Sequence, residues 1–284
     1  MIIQIGSFAW FLALLIAIGF TVGTYFLLRR RSERVQKIVI YVLVLVNVFQ
    51  HLFKHRIWSR SPDAAFGIEN TLYNVCAFLI MTSAVIYFTH GAWRDFITYV
   101  GTVAGMIAMI VPYWLLGNTL LNLGVVRFYF CHTLLFATSL LPALLGHHKV
   151  KLRNFPKIGL CFLAALVVIF VDQILSYYVF HHITDPQALY EALMKKNDVW
   201  MLYPPSEFPS LVRFITFFTP DIFLPQGDRG YTPILWYAIP LYLGITLLAY
   251  ACGMLLDREG RERHIAFFRA LPARVRALFK KKER

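Results

Sequence analysis

Long apolar stretches alternate with short polar connections along most of the chain. A helix that crosses the hydrocarbon core of a membrane needs about 20 predominantly apolar residues. The stretches that meet this requirement are residues 7–28, 37–54, 70–89, 95–115, 126–146, 157–180 and 232–255. The pattern therefore predicts an all-α membrane protein built as a bundle of seven transmembrane helices.

One connection, residues 181–231, is much longer than the others. It carries six prolines: Pro186, Pro204, Pro205, Pro209, Pro220 and Pro225. Proline interrupts a helix, so we expect only short helical pieces there, around 187–196 and 209–217. The predicted organisation is a transmembrane domain over residues 1–255, with 181–231 as its external loop, followed by a basic tail over residues 256–284.

The composition supports an integral membrane protein. Hydrophobic residues make up 58% of the 284 residues and charged residues 15%, whereas soluble domains have about 45–50% and about 25%. The first apolar stretch lacks a charged start and a small-residue cleavage site, so it is interpreted as a retained helix rather than a signal peptide. The four cysteines have neither paired nor metal-finger spacing, so no disulfide framework is expected.

The formal net charge of +13 is concentrated at the ends of the apolar stretches. Basic residues crowd the loop 29–37, the loop 147–157 and the tail. Cytoplasmic loops carry the excess of Lys and Arg, so the N-terminus is predicted outside and the C-terminus in the cytoplasm of a multi-pass cell-membrane protein. The segment 54–69, with Lys54, Arg56 and Arg60, points weakly the other way. Such clustered charge suits anionic headgroups, and no nucleic-acid partner is expected.

The tail has the pattern of an amphipathic helix that lies on the membrane surface. Its apolar residues fall roughly along one helical face: Ile265, Phe268, Val275, Leu278 and Phe279. We expect this helix to bind anionic headgroups at the cytoplasmic face and to be interrupted at Pro272. A solvated basic tail is the alternative.

Polar side chains inside the apolar stretches concentrate near the predicted external side. At a rise of about 1.5 Å per residue, Cys76 and His132 lie about 9 Å below that surface and Asp172 about 12 Å. Further polar and aromatic residues at this level are Asn47, Gln50, His51, Trp236 and Tyr237. Polar groups in a bilayer usually face the bundle interior, so these residues predict one pocket beneath the 181–231 loop.

Each of these residues also has an ordinary structural interpretation. Cys76 could be a small buried hydrophobic residue, and His132 could bond a neighbouring helix. Trp236 and Tyr237 could belong to the interfacial aromatic belt. Asp172 is harder to explain in this way, because an intramembrane carboxylate is a functional candidate by default.

Four short motifs carry a resemblance to a known family. They are "TLYNVC" at 71–76, "RFYFCH" at 127–132, "VDQILSYY" at 171–178 and "PILWYAIP" at 233–240. Over about residues 65–245 the chain resembles the YwaF-like integral membrane proteins, which include animal transmembrane lipid acyltransferases. It departs from that family at Leu72, Asn74 and Asp172, where the family has Pro, His and Asn. Like the family, it has an aromatic residue after the polar one in the third motif, here Tyr177, which the resemblance marks as a binding residue. The resemblance implies a Cys–His couple that transfers acyl groups between phospholipids, without a cofactor.

The matching chemistry assigns three catalytic residues. Cys76, near a helix N-terminus, would attack a lipid ester as a thiolate, with His132 as base and Asp172 orienting the imidazole. Asn74 could donate to the oxyanion, although on an ideal helix it points away from Cys76. The partners would be a phospholipid and a lysophospholipid.

Two other classes of function stay open at this point. The pocket could bind or pass a lipid or a small solute without catalysis, using Asp172 and His132 as a polar path. His51 and His55 are also an i, i+4 pair that could grip zinc together with His132 or Asp172, although such a pair is a weak indication.

Overall fold

The computed structural model describes residues 1–58, 67–149, 151–197, 200–204, 209–227 and 230–282, and the side chains of residues 196, 271 and 273–282 are outside this set. The described chain is helical, with an isolated β-bridge between Ile2 and Thr119. The helices are α1 (Phe8–Leu28), α2 (Glu33–Leu52), α3 (Lys54–Trp58), α4 (Val75–Ile86), α5 (Ala92–Phe96), α6 (Thr102–Ile110), α7 (Leu123–Leu144), α8 (Phe155–His181), α9 (Pro186–Lys196), α10 (Pro209–Phe217), α11 (Leu235–Leu256) and α12 (Arg258–Lys282).

Six stretches of the described chain are long and apolar enough to cross a membrane. They are Phe8–Leu28, Glu33–Leu52, Ala92–Leu115, Leu123–Leu144, Leu152–His181 and Leu235–Leu256. The third of these joins α5 to α6 through a π-helical turn at Ile97–Gly101. The predicted span 70–89 contains instead the short helix α4, which has 12 residues.

Helix α7 is the centre of the bundle, with α1, α2 and α6 packed around it, and α8 packs mainly against α11. Close approach of α6 to α7 depends on Gly105, where an added Cβ would lie 2.9 Å from the Phe136 nitrogen and 3.0 Å from the His132 carbonyl oxygen. Only a residue without a side chain fits this contact.

The long connection folds back onto the start of α11. Helices α9 and α10 confirm the two short helices predicted there. Met201 is almost fully buried, and its carbonyl oxygen accepts a hydrogen bond from the Ile234 nitrogen at 2.7 Å. Trp236 is fully buried, and its indole donates to the Trp200 carbonyl oxygen at 3.0 Å. The connection therefore forms a cap over one end of the bundle.

The three basic segments lie together at the other end. His147, in the loop after α7, is 3.8 Å from the Glu33 carboxylate at the start of α2. The Leu152 nitrogen donates to the Asp257 carboxylate at 2.8 Å, which joins the same loop to the start of α12. Arg60, which pointed weakly to the opposite orientation, lies outside the described residues.

The tail forms one helix, and the predicted interruption at Pro272 is absent because α12 continues through this residue. A proline costs a helix one backbone hydrogen bond, but the helix can continue beyond it with a kink. Ile265 and Phe268 are exposed, as expected for a surface-binding face. The side chains of Val275, Leu278 and Phe279 lie outside the described set.

Candidate functional site

An unwound segment leads into α4. After a short 3-10 turn at Ile68–Asn70, the backbone is extended at Thr71 and again at Asn74. The Asn74 side chain caps α4 by accepting a hydrogen bond from the Ala77 nitrogen at 2.9 Å. Cys76 is therefore the second residue of the helix, not the seventh residue of a longer one. At about 1.5 Å per residue, α4 is about 18 Å long, which is much shorter than a hydrocarbon core of about 30 Å.

Side chains of α2 and α8 satisfy the backbone of this unwound segment. Asp172 accepts from the Leu72 nitrogen at 3.0 Å, and the Gln173 amide donates to the Tyr73 carbonyl oxygen at 2.8 Å. The His51 Nε2 lies 3.1 Å from the Thr71 carbonyl oxygen. Irregular backbone is tolerated at membrane depth only where protein groups pair it, and these contacts provide that pairing.

The end of α2 and the start of α3 also bond the unwound segment. The Asn70 amide donates to the Leu52 carbonyl oxygen at 2.7 Å. The Lys54 ammonium group donates to the Glu69 carbonyl oxygen and lies 4.8 Å from the centre of the Tyr73 ring. Lys54 is only 4% exposed, so its charge is held against the unwound segment rather than in solvent.

The structure brings Cys76 and His132 together. The Cys76 thiol lies close to the His132 ring, which is 6% exposed, and Cys76 itself is half-buried. The predicted depths used a helix start at residue 70. The two groups are close although α4 begins five residues later than predicted.

The His132 ring is held by its own helix. Its Nδ1 lies 2.8 Å from the Phe128 carbonyl oxygen, and the Phe128 ring packs against it with 4.1 Å between ring centres. A carbonyl oxygen can only accept, so Nδ1 carries the proton and Nε2 is the nitrogen left to accept one. The orienting group predicted at Asp172 is thus the Phe128 carbonyl oxygen, and Asp172 instead holds the unwound segment.

A second thiol lies beside His132 that the sequence analysis did not single out. Cys131 is buried, with its sulfur 3.3 Å from the His132 Nδ1 and 3.2 Å from the Phe128 carbonyl oxygen. Lys54 and Arg127 both lie close enough to act electrostatically on the Cys131 sulfur. The "RFYFCH" motif did contain the available indication, since Arg127 and Cys131 are four residues apart and share a helix face.

Asn47 on α2 bonds the backbone of α7 next to His132, and Gln50 bonds Asn47. The Asn47 amide donates to the Cys131 carbonyl oxygen at 3.1 Å, and the Gln50 amide donates to the Asn47 side-chain oxygen at 2.9 Å. The other polar atom of Gln50, its Oε1, is buried without a hydrogen-bond partner among the described residues. These two residues therefore tie α2 to α7.

The three predicted aromatic residues pack within the bundle. Trp236 and Tyr237 belong to the same hydrophobic cluster as Cys131, and Cys76 packs against that cluster. Both are buried, unlike belt residues at a lipid interface. Tyr177 donates from its hydroxyl group to the Ala192 carbonyl oxygen at 3.2 Å, which attaches α9 to α8.

The start of α4 presents unused backbone donors. Within the described chain, the N–H groups of Val75 and Cys76 have no hydrogen-bond acceptor. These first-turn groups, together with the positive end of the helix dipole, favour an anion at Cys76. Asn74, predicted as an oxyanion donor, caps the helix with its side-chain oxygen, and its amide N–H groups are the ones that the donor role would use.

The two histidines considered as zinc ligands, His51 and His55, contact different groups. His51 faces Thr71, whereas the His55 Nε2 lies 3.6 Å from the Glu69 carboxylate. Among residues 1–58, 67–149 and the later described ranges, no three His, Cys, Asp or Glu side chains are arranged to hold a metal ion.

The family model for the TMEM164 family matches residues 4–227, which include the unwound segment, α4, α7 and α8. This chain belongs to the TMEM164 family. The match ends before α11 and the tail. No curated protein matches the chain, and no solved structure does. Membership of this transmembrane family, together with the six apolar helices, makes the chain a multi-pass membrane protein. The relation to YwaF-like proteins and to acyltransferases stays a hypothesis.

Proposed function

We propose that this protein transfers acyl groups between membrane phospholipids, with Cys76 as nucleophile and His132 as base. The observation that supports this most strongly is the closeness of the Cys76 thiol to the His132 ring at the N-terminus of α4. A thiolate is the reactive form of cysteine, and an adjacent imidazole and a helix N-terminus both favour it.

The first half of the reaction forms a thioester. His132 Nε2 takes the thiol proton, and the Cys76 sulfur attacks the ester carbonyl carbon of a phospholipid. The N–H groups of Val75 and Cys76 receive the oxyanion of the tetrahedral intermediate. When the carbon–oxygen ester bond breaks, the lysophospholipid oxygen takes the proton from His132 and leaves.

The second half regenerates the enzyme. The hydroxyl group of a second lysophospholipid gives its proton to His132 and attacks the thioester carbon. The carbon–sulfur bond breaks, and the Cys76 sulfur recovers the proton from His132. Arg127 supplies positive charge near this site for the lipid phosphate.

Cys76 is preferred to Cys131 as the nucleophile. Cys131 lies 3.3 Å from Nδ1, but it is buried and directs its thiol to the Phe128 carbonyl oxygen. Cys76 is half-buried and has free backbone donors beside it. Accessibility to a lipid ester therefore favours Cys76.

Reconstituted protein with an isotope-labelled phospholipid and an unlabelled lysophospholipid provides the test. Cys76→Ala and His132→Ala should each reduce label transfer by about 1,000-fold or more. Cys161→Ala, which removes a buried thiol on α8, is the matched control and should retain activity. Full transfer by Cys76→Ala with loss in Cys131→Ala would move the nucleophile to Cys131. Full transfer by both variants would exclude thiol catalysis.

The orientation belongs to the same proposal. The N-terminus lies outside, α12 lies in the cytoplasm, and α4 with its unwound segment completes a seventh crossing. The support is the grouping of the three basic segments at one end of the bundle. The Cys–His pair then faces the external leaflet of the cell membrane.

Lipid binding without catalysis is the second candidate. A groove of about 650 Å³ runs along one face of α4, with Phe78, Thr82 and Val85 among its lining residues and Asp172 at one end. Cys76 does not line this groove, so an acyl chain could lie there without meeting the sulfur. Under this function, lipid would bind equally well to Cys76→Ala and weaken with Val85→Trp.

A further inference from the structure

A second cavity lies at the opposite end of the bundle from Cys76. It has a volume of about 850 Å³ and is enclosed by the end of α7, the loop into α8 and the first turns of α12. Along α7, Leu144 in its wall is 12 residues beyond His132, which corresponds to about 18 Å. The cavity is therefore separate from the proposed acyl-transfer site.

Two carboxylates anchor the walls of this cavity. Asp95 is 1% exposed and accepts hydrogen bonds from His148 and from the Asn154 amide, each at 2.6 Å. Asp257 accepts from the Leu152 nitrogen at 2.8 Å and from the Gly260 nitrogen at 2.9 Å. The loop before α8 is thus tied to α5 on one side and to the start of α12 on the other. These hydrogen bonds fix the walls of the cavity relative to one another.

The charge of the lining is strongly positive. Five cationic side chains contribute to it, against the carboxylates of Asp257 and Glu259: Lys149, Lys151, Arg153, Arg258 and Arg263. Arg258 pairs with Glu262 at 2.9 Å. Within the described part of the chain, the other four cations have no acidic partner within 4.0 Å. Unpaired cations around a concave site favour an anionic ligand.

The remaining wall is apolar. Leu144, Phe155, Leu256 and Phe267 line the cavity at the ends of α7, α8 and α11 and on α12. A ligand that matches both the cationic and the apolar part of the lining carries a phosphate next to a hydrocarbon chain. Membrane lipids provide this combination at the depth where apolar helices end.

We propose that this cavity binds the phosphate headgroup of an anionic phospholipid from the leaflet at the basic end of the bundle. Lys149, Lys151 and Arg263 contact the phosphate, and Phe155 and Phe267 contact the start of the acyl chains. The site does not depend on acyl transfer, so Cys76→Ala binds the lipid as the unmodified protein does.

Lipid titration followed by native mass spectrometry tests the proposal. Phosphatidylglycerol is the anionic probe and phosphatidylcholine the zwitterionic one. The triple variant Lys149→Gln, Lys151→Gln, Arg263→Gln should weaken phosphatidylglycerol binding by about tenfold or more. The control variant Arg30→Gln, Arg31→Gln, Arg34→Gln removes the same charge from exposed positions at the same end and should change binding by less than about threefold. Melting temperatures establish that both variants are folded.

Three outcomes would overturn the proposal. Equal loss in both triple variants would mean that only the general surface charge attracts the lipid. Unchanged binding in the cavity variant would place the lipid elsewhere. Displacement of phosphatidylglycerol by equimolar glycerol 3-phosphate or inorganic phosphate would assign the cavity to a soluble phosphate compound. Retained lipid binding in Cys76→Ala, together with lost acyl transfer, separates this site from the proposed function.

Discussion

The intramembrane polar residues divide into two groups with different roles. His132 and Cys76 lie close together, whereas Asp172, Gln173 and His51 bond the backbone that leads to Cys76. An unpaired backbone group in a buried site costs about 1–3 kcal/mol. These polar side chains therefore offset the cost of an unwound segment inside the bundle. We propose that Asp172 acts as a positioning residue in this arrangement.

Replacing Asp172 tests this assignment. Asp172→Ala leaves the Leu72 N–H unpaired and should destabilise the protein by about 1–3 kcal/mol, and it should also slow Cys76 labelling. Asp172→Asn keeps an acceptor oxygen and should restore most of both properties. Val171→Ala, on the exposed side of α8, is the control. Thermal unfolding in detergent measures stability, and equal losses in the Ala and Asn variants would contradict the assignment.

His147 gives stability a dependence on pH. Burial lowers the pKa of His147, and the nearby Lys37 charge acts in the same direction. Its Nε2 is buried without a hydrogen-bond partner among the described residues. The unfolded chain therefore takes up this proton more readily, and stability falls as the pH drops through about 6.5.

We expect His147→Asn to reduce the difference between melting temperatures at pH 7.5 and pH 5.5. The exposed His90→Asn provides the control and should leave the wild-type difference unchanged. A difference that is the same in His147→Asn and the wild type would show that this imidazole is not the group that titrates.

At the scale of helices, apolar runs predicted most of the fold, and α4 was the exception. The run 70–89 has the composition of a full span, yet the helix begins at Val75. Asn74 was the local indication, because Asn is a favoured N-cap residue. The unwinding itself could not be predicted, since its partners Asp172 and His51 are distant in sequence. For the same reason, the direction of the Asp172 carboxylate could not be predicted.

The contact between α6 and α7 sets the position of His132. Gly105→Ala would place a Cβ about 3 Å from the His132 carbonyl oxygen, so it should cost about 1–3 kcal/mol of stability and reduce acyl transfer. Gly244→Ala in α11 meets no atom within 4 Å and should be neutral or stabilising by up to about 1 kcal/mol. Melting curves for the two variants check this. Equal stability in both would mean that the helices separate freely.

At the scale of the whole molecule, the two ends of the bundle differ in chemistry. One end is closed by the α9–α10 connection, with Met201 and Trp236 buried beneath it. The other end gathers the basic loops and α12 around a cationic cavity. Separate reporters fused to the two termini should be accessible outside for the N-terminus and protected inside for the C-terminus. The reverse pattern would place the Cys–His pair at the cytoplasmic leaflet.

The most direct measurement is the alkylation rate of Cys76 in the purified, folded protein, followed by mass spectrometry for all four cysteines. With iodoacetamide near neutral pH, Cys76 should react faster than Cys161 and Cys252, and His132→Ala should slow it by about tenfold or more. If Cys76 reacts no faster than Cys252, or if His132→Ala leaves its rate unchanged, the two groups do not act as a pair and the catalytic proposal is wrong.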